Sequence, residues 1–135
     1  MSSIRSHRHF RNLLSLGLPS TDFVIAGSAA LFARGLIRGL GDLDIVAQGA
    51  AWHAVRSLGL PCKTGTLGVH VIELFGGTLQ IFDGWFPLIW STQELISRAE
   101  IIDGLPFVPI DVVHHTMRML ARPKDLSHLE MLRGL

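Results

Sequence analysis

Residues 22–47, DFVIAGSAALFARGLIRGLGDLDIVA, hold two short apolar runs joined through a small-residue stretch and a glycine-rich return. The first run, 23–26, is wholly apolar and β-rich, the pattern of a strand buried on both faces. Gly27-Ser28 follows it and opens a helix expected over 29–35. The first-turn amides of such a helix are unpaired donors that favour a phosphate. Arg38, Gly39 and Gly41 form the connection to a second strand, expected over 42–47. Residues two apart on a strand share a face, so Asp42 and Asp44 are expected to point the same way. Adjacent carboxylates repel unless a cation or a proton lies between them. A Gly-Ser turn facing paired acids reads as a metal and triphosphate site, and it asks for strands with helices packed on them.

The rest of the chain supplies those elements. Residues 1–18 read as a helix with Phe10, Leu13, Leu14 and Leu16 on its apolar side. Arg5, Arg8 and Arg11 recur every three residues, either as the solvated face of a docking helix or as a nucleic-acid contact. A second helix is expected over 50–58, stopped by Gly59-Leu60-Pro61. A hairpin follows, with strands at 67–75 and 78–82 joined by Gly76-Gly77, a pair that accepts positive φ. Counting back from that turn sets Glu73 opposite Gln80. Ser91-Thr92-Gln93-Glu94 has capping-box spacing and starts a short helix to about 99. Residues 100–102 and 105–108 flank Asp103-Gly104 as a second small hairpin. Asp111 is expected to cap a helix to 120, and Arg122-Pro123-Lys124 separates it from a last helix over 125–133.

Bulk properties set the class. At 135 residues the chain is read as one domain with a core of its own. We divide it into an N-terminal helix (1–18), an α/β core (22–108) and C-terminal helices (109–135). No apolar run of membrane-spanning length is free of Gly, Pro or charge, and the basic N-terminus lacks a secretory pattern. Cys62 is the single cysteine, which rules out a disulfide framework and suggests a reducing cytoplasm. Twelve basic against eleven acidic residues give a net charge of +1, which neither demands nor forbids a nucleic-acid partner.

Nucleotidyl transfer requires a divalent cation bridging carboxylates and phosphate oxygens, and an acceptor hydroxyl placed in line. Mg²⁺ is a hard ion typically held by one or two carboxylates plus substrate phosphates. Asp42 and Asp44 supply that pair, Gly27 and Ser28 a phosphate turn, and Arg38 a neutralising charge. Lys124 reads either as a further phosphate contact or as part of an ordinary helix corner with Asp125. The seven histidines form no convincing metal set. Trp85 and Trp90 read as apolar plugs.

The run from Ala26-Gly27-Ser28-Ala29-Ala30-Leu31 through Asp42-Leu43-Asp44-Ile45 resembles the Gly-Ser/Asp-x-Asp motif of the polymerase-β-like nucleotidyltransferase superfamily. Residues 79–85, 94–113 and 122–132 are similar to small bacterial nucleotidyltransferase-like proteins, including relatives of toxin–antitoxin components. The resemblance implies a mixed-sheet α/β (α+β) fold with C-terminal helices on the core. It also implies Mg²⁺-dependent transfer of NMP from an NTP to a hydroxyl on a protein, a tRNA or a small molecule, and a third carboxylate on a following strand.

This sequence departs from the pattern at Gln80, where the family places an acid, at Met117, where it tends to place a lysine, and at His128, where a second acid is usual. Glu73, or else Asp83, is the candidate replacement for the acid missing at Gln80. The alternative expectation is a weakly active or inactive module of the same fold, binding a partner in the manner of an antitoxin.

Overall fold

Four isoleucines from four different strands lie side by side in the centre of the molecule. The computed structural model describes residues 4–65 and 68–133. Its strands are β1 (Phe23–Ala26), β2 (Leu43–Ala47), β3 (Cys62–Thr64), β4 (His70–Leu74), β5 (Leu79–Phe82), β6 (Glu100–Ile102) and β7 (Leu105–Phe107). They form one mixed sheet in the order β3-β4-β5-β2-β1-β7-β6. β2 runs antiparallel to β1 and parallel to β5, and β4 returns antiparallel to β5. This register lines up Ile25, Ile45, Ile81 and Ile72, all fully buried. One residue further along each ladder lies the row Ala26, Asp44, Gln80 and Glu73. Successive side chains on a strand point to opposite faces, so this polar row projects from the other side of the sheet.

Helices complete the fold: α1 (Arg8–Ser15), α2 (Ser28–Ala33), α3 (Gly49–Arg56), α4 (Thr92–Ser97), α5 (Ile110–Leu120) and α6 (Pro123–Leu132). α1 reaches the isoleucine face through Phe10, whose ring centroid is 6.1 Å from that of Phe107, itself in register with Ile25. Phe32 of α2 stacks on Phe10 at 6.3 Å. α2 is held to the far edge of the sheet by Arg34. Its guanidinium donates to the carbonyls of Ala30 (2.7 Å) and Val108 (3.0 Å) and pairs with the Glu100 carboxylate.

Several expected boundaries shift for local reasons. The N-terminal helix is shorter than 1–18. Ile4–Ser6 form a 3-10 turn, and His7 caps α1 by accepting from the His9 N–H at 3.1 Å. Residues 1–3 and Leu67, the expected first residue of a hairpin strand, lie outside the described residues. Asp42 precedes β2 rather than opening it. The hairpin pairs Glu73 with Gln80 as its turn position predicts, but the connection is wider than two residues: Phe75, Gly76 and Gly77 all take positive φ, at 53°, 71° and 88°. The edge strand β3 carries no alternating apolar pattern and was not expected. Asp111 does not cap α5, which begins after Pro109; it lies in the first turn and pairs with Arg98 at 2.7 Å.

The last helix begins at Pro123, not at Asp125. Arg122 is its N-cap, and Asp125 accepts from the Arg122 backbone N–H (3.1 Å), Nε (2.6 Å) and Nη2 (3.1 Å). Proline suits a first helical position because its missing N–H is one that the helix leaves unpaired.

Arg34→Met removes the two carbonyl contacts and the Glu100 pair while keeping the aliphatic stem. It is expected to lower stability by about 1–3 kcal/mol, read as a lower urea midpoint with an unchanged slope. An unchanged midpoint would show that the α2 clamp carries no stability.

Candidate functional site: a groove across Asp44

The antiparallel pairing of β1 and β2 sets Ala26 opposite Asp44, so Gly27, the next residue, lies beside the Asp44 side chain. Gly27 has φ +66°, and a β-carbon there would come within 2.7 Å of Asp44 Oδ2. Glycine is thus required twice, by conformation and by space. Ser28 then begins α2.

Asp44 and Asp42 are brought close enough to interact. The Asp44 carboxyl is pushed up to about 7, first by burial, then by the Asp42 charge; Lys124 and Arg122 pull it back down. The two cations come from the α5–α6 corner, whose geometry depends on the buried Asp125. Burial works to raise the Asp125 carboxyl, but hydrogen bonds from the Arg122 side chain and backbone outweigh it and hold it below the usual range.

Three clefts run together here. One, of about 700 Å³, is bordered by Arg38, Asp42 and Lys124. A narrow middle one, of about 30 Å³, is bordered by Gly27, Ser28, Asp44 and Lys124. The third, of about 260 Å³, is bordered by Asp44, Gln80, Trp85 and Arg122. Of the residues singled out from sequence, Gly27, Ser28, Arg38, Asp42, Asp44 and Lys124 therefore share one groove. Met117 and His128 line its middle.

Glu73 and Asp83 do not join them. Glu73 is in the same row as Asp44, but Gln80 stands between, and Glu73 Oε1 accepts from Lys63 Nζ at 2.9 Å. Asp83 is engaged by His70, accepting from its backbone N–H at 2.7 Å and lying 2.8 Å from its Nδ1. Among the described residues no three His, Cys, Asp or Glu side chains are grouped to hold a metal. Trp85, expected as an apolar plug, is buried and also lines the groove, with Nε1 donating to Thr116 Oγ1 at 3.3 Å. Trp90 is buried against Phe86 and His115.

From sequence, Arg122 reads only as part of the separator between the last two helices. The signal that places it was present: Arg-Pro-x-Asp has an acid three residues after a helix start, the reciprocal spacing of a capping box.

The raised Asp44 value makes stability depend on pH. The unfolded chain releases this proton near the ordinary Asp value of about 4, whereas the folded chain keeps it to about 7. Between those values the unfolded state binds fewer protons, so stability falls as pH rises through the window and stays low above it. Asp44→Asn removes this loss. Its stability should exceed that of the wild type by on the order of a few kcal/mol at about pH 8, and by little at about pH 4. Urea unfolding at both pH values checks this; a difference that does not grow with pH would overturn it. Gly27→Ala should lower stability by about 1–3 kcal/mol through φ and the Asp44 contact, checked in the same assay.

Among the described residues no helix is long and apolar enough to cross a membrane. No family model matches the chain. No curated protein matches it either. Among solved structures it is similar to the crystal structure of JHP933 from Helicobacter pylori, at 18% sequence identity and a TM-score of 0.48. That match covers 87% of this chain and 57% of the other, so the chain spans little more than half of that protein's length.

Proposed function

We propose that this protein is a Mg²⁺-dependent nucleotidyltransferase that moves NMP from an NTP to a hydroxyl acceptor and releases pyrophosphate. The observation that carries this reading is the Asp44 carboxylate, half-buried against Gly27 beside Asp42 and met across the groove by Arg122 and Lys124. A carboxylate so placed is costly to ionise unless a cation joins it. Two aspartates with room for phosphate oxygens match the ligand preference of Mg²⁺, so the donor set fits the metal. When bound, Mg²⁺ would neutralise the triphosphate and make its α-phosphorus a better electrophile.

The chain's own groups account for the remaining tasks. Ser28 offers a hydroxyl at the turn beside Asp44. Arg38 and Lys124, neither engaged in an ion pair among the described residues, border the large cleft and can hold the charge of departing pyrophosphate. Arg122, fixed by Asp125, stands at the junction of the middle and third clefts.

Gln80 supports a second reading. It is the direct neighbour of Asp44 on β5, and an amide does not accept a proton from a hydroxyl at neutral pH. Glu73 is occupied by Lys63. A nucleotide-binding module with weak or no turnover, serving as an antitoxin-like or regulatory partner in the cytoplasm, fits those two facts.

Labelled NTPs, Mg²⁺ and cell extract separate the two. Transfer is expected with the wild type and should drop at least about a hundredfold in Asp44→Asn. Equal labelling by both proteins would remove the metal-carboxylate reading. Mg²⁺-dependent NTP binding without transfer would favour the binding module. Gln80→Glu sets a third acid beside Asp44 and should raise both Mg²⁺ affinity and transfer.

A further inference from the structure

The three clefts have a fixed order. The Arg38 cleft and the middle cleft share Ser28, Lys124 and His128; the middle and third clefts share Asp44, Trp85, Leu120 and Arg122; the outer two share no lining residue. Strand order agrees: β1, leading into Gly27-Ser28, flanks Asp44 on one side, and Gln80 of β5 flanks it on the other. Displacement at phosphorus proceeds with the attacking and leaving oxygens in line on opposite sides. If pyrophosphate departs toward Ser28, Lys124 and Arg38, the acceptor hydroxyl approaches from the Gln80 side.

The cleft on that side has a definite chemistry. Its walls are Val69, Val71, Phe82, Trp85, Phe86 and Pro87. Trp85 meets Phe82 and Phe86 edge to face with centroids 5.5 Å apart in both pairs, and the Thr116 hydrogen bond holds the indole in place. Among the described lining residues the polar side chains are Asp44, Gln80 and Arg122, of which Asp44 and Gln80 are direct neighbours. The Gln80 carboxamide has no hydrogen-bond partner among the described residues and can both donate to and accept from a hydroxyl. Among the described lining residues Arg122 is the single cation, and it is already tied to Asp125, a poor match for a polyanion such as a tRNA end. About 260 Å³ between aromatic edges suits one flat ring, whose hydroxyl would reach the polar side chains.

We infer that this cleft is the acceptor subsite, and that the acceptor is a small molecule with a hydroxyl on a flat, uncharged aromatic ring. The inference rests on the transfer reading above. In the step, the acceptor oxygen bonds to the α-phosphorus as the bond from that phosphorus to the bridging oxygen breaks. Pyrophosphate leaves with the electron pair toward Lys124 and Arg38, and the hydroxyl proton passes to bulk water. Gln80 orients the hydroxyl, and the aromatic walls hold the ring.

The test uses the full chain and 4-ethylphenol as the ring probe, followed by ligand-observed NMR and by tryptophan fluorescence. Binding of Mg²⁺ with a non-hydrolysable ATP analogue is measured separately by calorimetry. The ring probe should bind the wild type, ribose should not, and a short single-stranded RNA should not displace the probe. Val71→Trp, which fills the cleft, and Phe86→Ala, which removes a wall, should each weaken the probe at least about tenfold while the ATP analogue still binds. Loss of that nucleotide binding in the wild type would sink the transfer reading and the acceptor role with it. Retained nucleotide binding without probe binding would overturn the acceptor assignment alone, as would displacement of the probe by RNA or wild-type probe affinity in both variants. Labelled transfer to the probe that follows the same variant order would support it.

Discussion

Register is the constraint on which the rest of this molecule depends. The row Ile25, Ile45, Ile81 and Ile72 buries four large side chains on four strands at one level. Because strand side chains alternate with a period of two, sliding one of these strands by a residue would turn its isoleucine to the other face, and in one direction would bring Ala26, Asp44, Gln80 or Glu73 into the apolar row. The same alternation delivers Asp44 to the opposite face beside Gln80. Core packing and site placement are therefore one decision, and the apolar row is what makes the polar row accurate.

The site face is electrostatically unbalanced by itself. Asp42 and Asp44 gather negative charge where water is scarce, and the α5–α6 corner answers with Arg122 and Lys124. That corner is built around the buried Asp125, whose carboxylate satisfies the first turn of α6 and fixes the Arg122 side chain. A third carboxylate, bordering the same middle cleft as Asp44, thus shapes the field of the paired aspartates through the orientation of an arginine.

Much of this was legible in the sequence. The wholly apolar 23–26 run and the alternation at 42–47 identified two central strands, and Gly76-Gly77 gave the Glu73–Gln80 pairing. Gly27-Ser28 and Asp42-x-Asp44 lie together in one groove because β1 and β2 pair antiparallel, which sets the end of β1 beside the start of β2. What could not be read is equally specific. β3 has no apolar alternation, since only one neighbour covers it. The start of α6 turned on whether Asp125 receives hydrogen bonds from residue 122 or begins the helix itself, and both use the same letters. The engagements of Glu73 with Lys63 and Asp83 with His70 join separate strands, so no local pattern announces them. Nor does spacing show that Trp85 borders the groove, because that depends on how α5 crosses the sheet.

The contact between Gly27 and Asp44 has a consequence for how this site can change over successive generations. The Asp44 carboxylate occupies the space that any side chain at position 27 would need. A variant that first shortens residue 44 frees that space, after which position 27 faces only the cost of its positive φ. The reverse order passes through an intermediate carrying both the clash and the strained backbone. Routes away from the present site therefore open through the acid, and the glycine can drift only after the acid has gone.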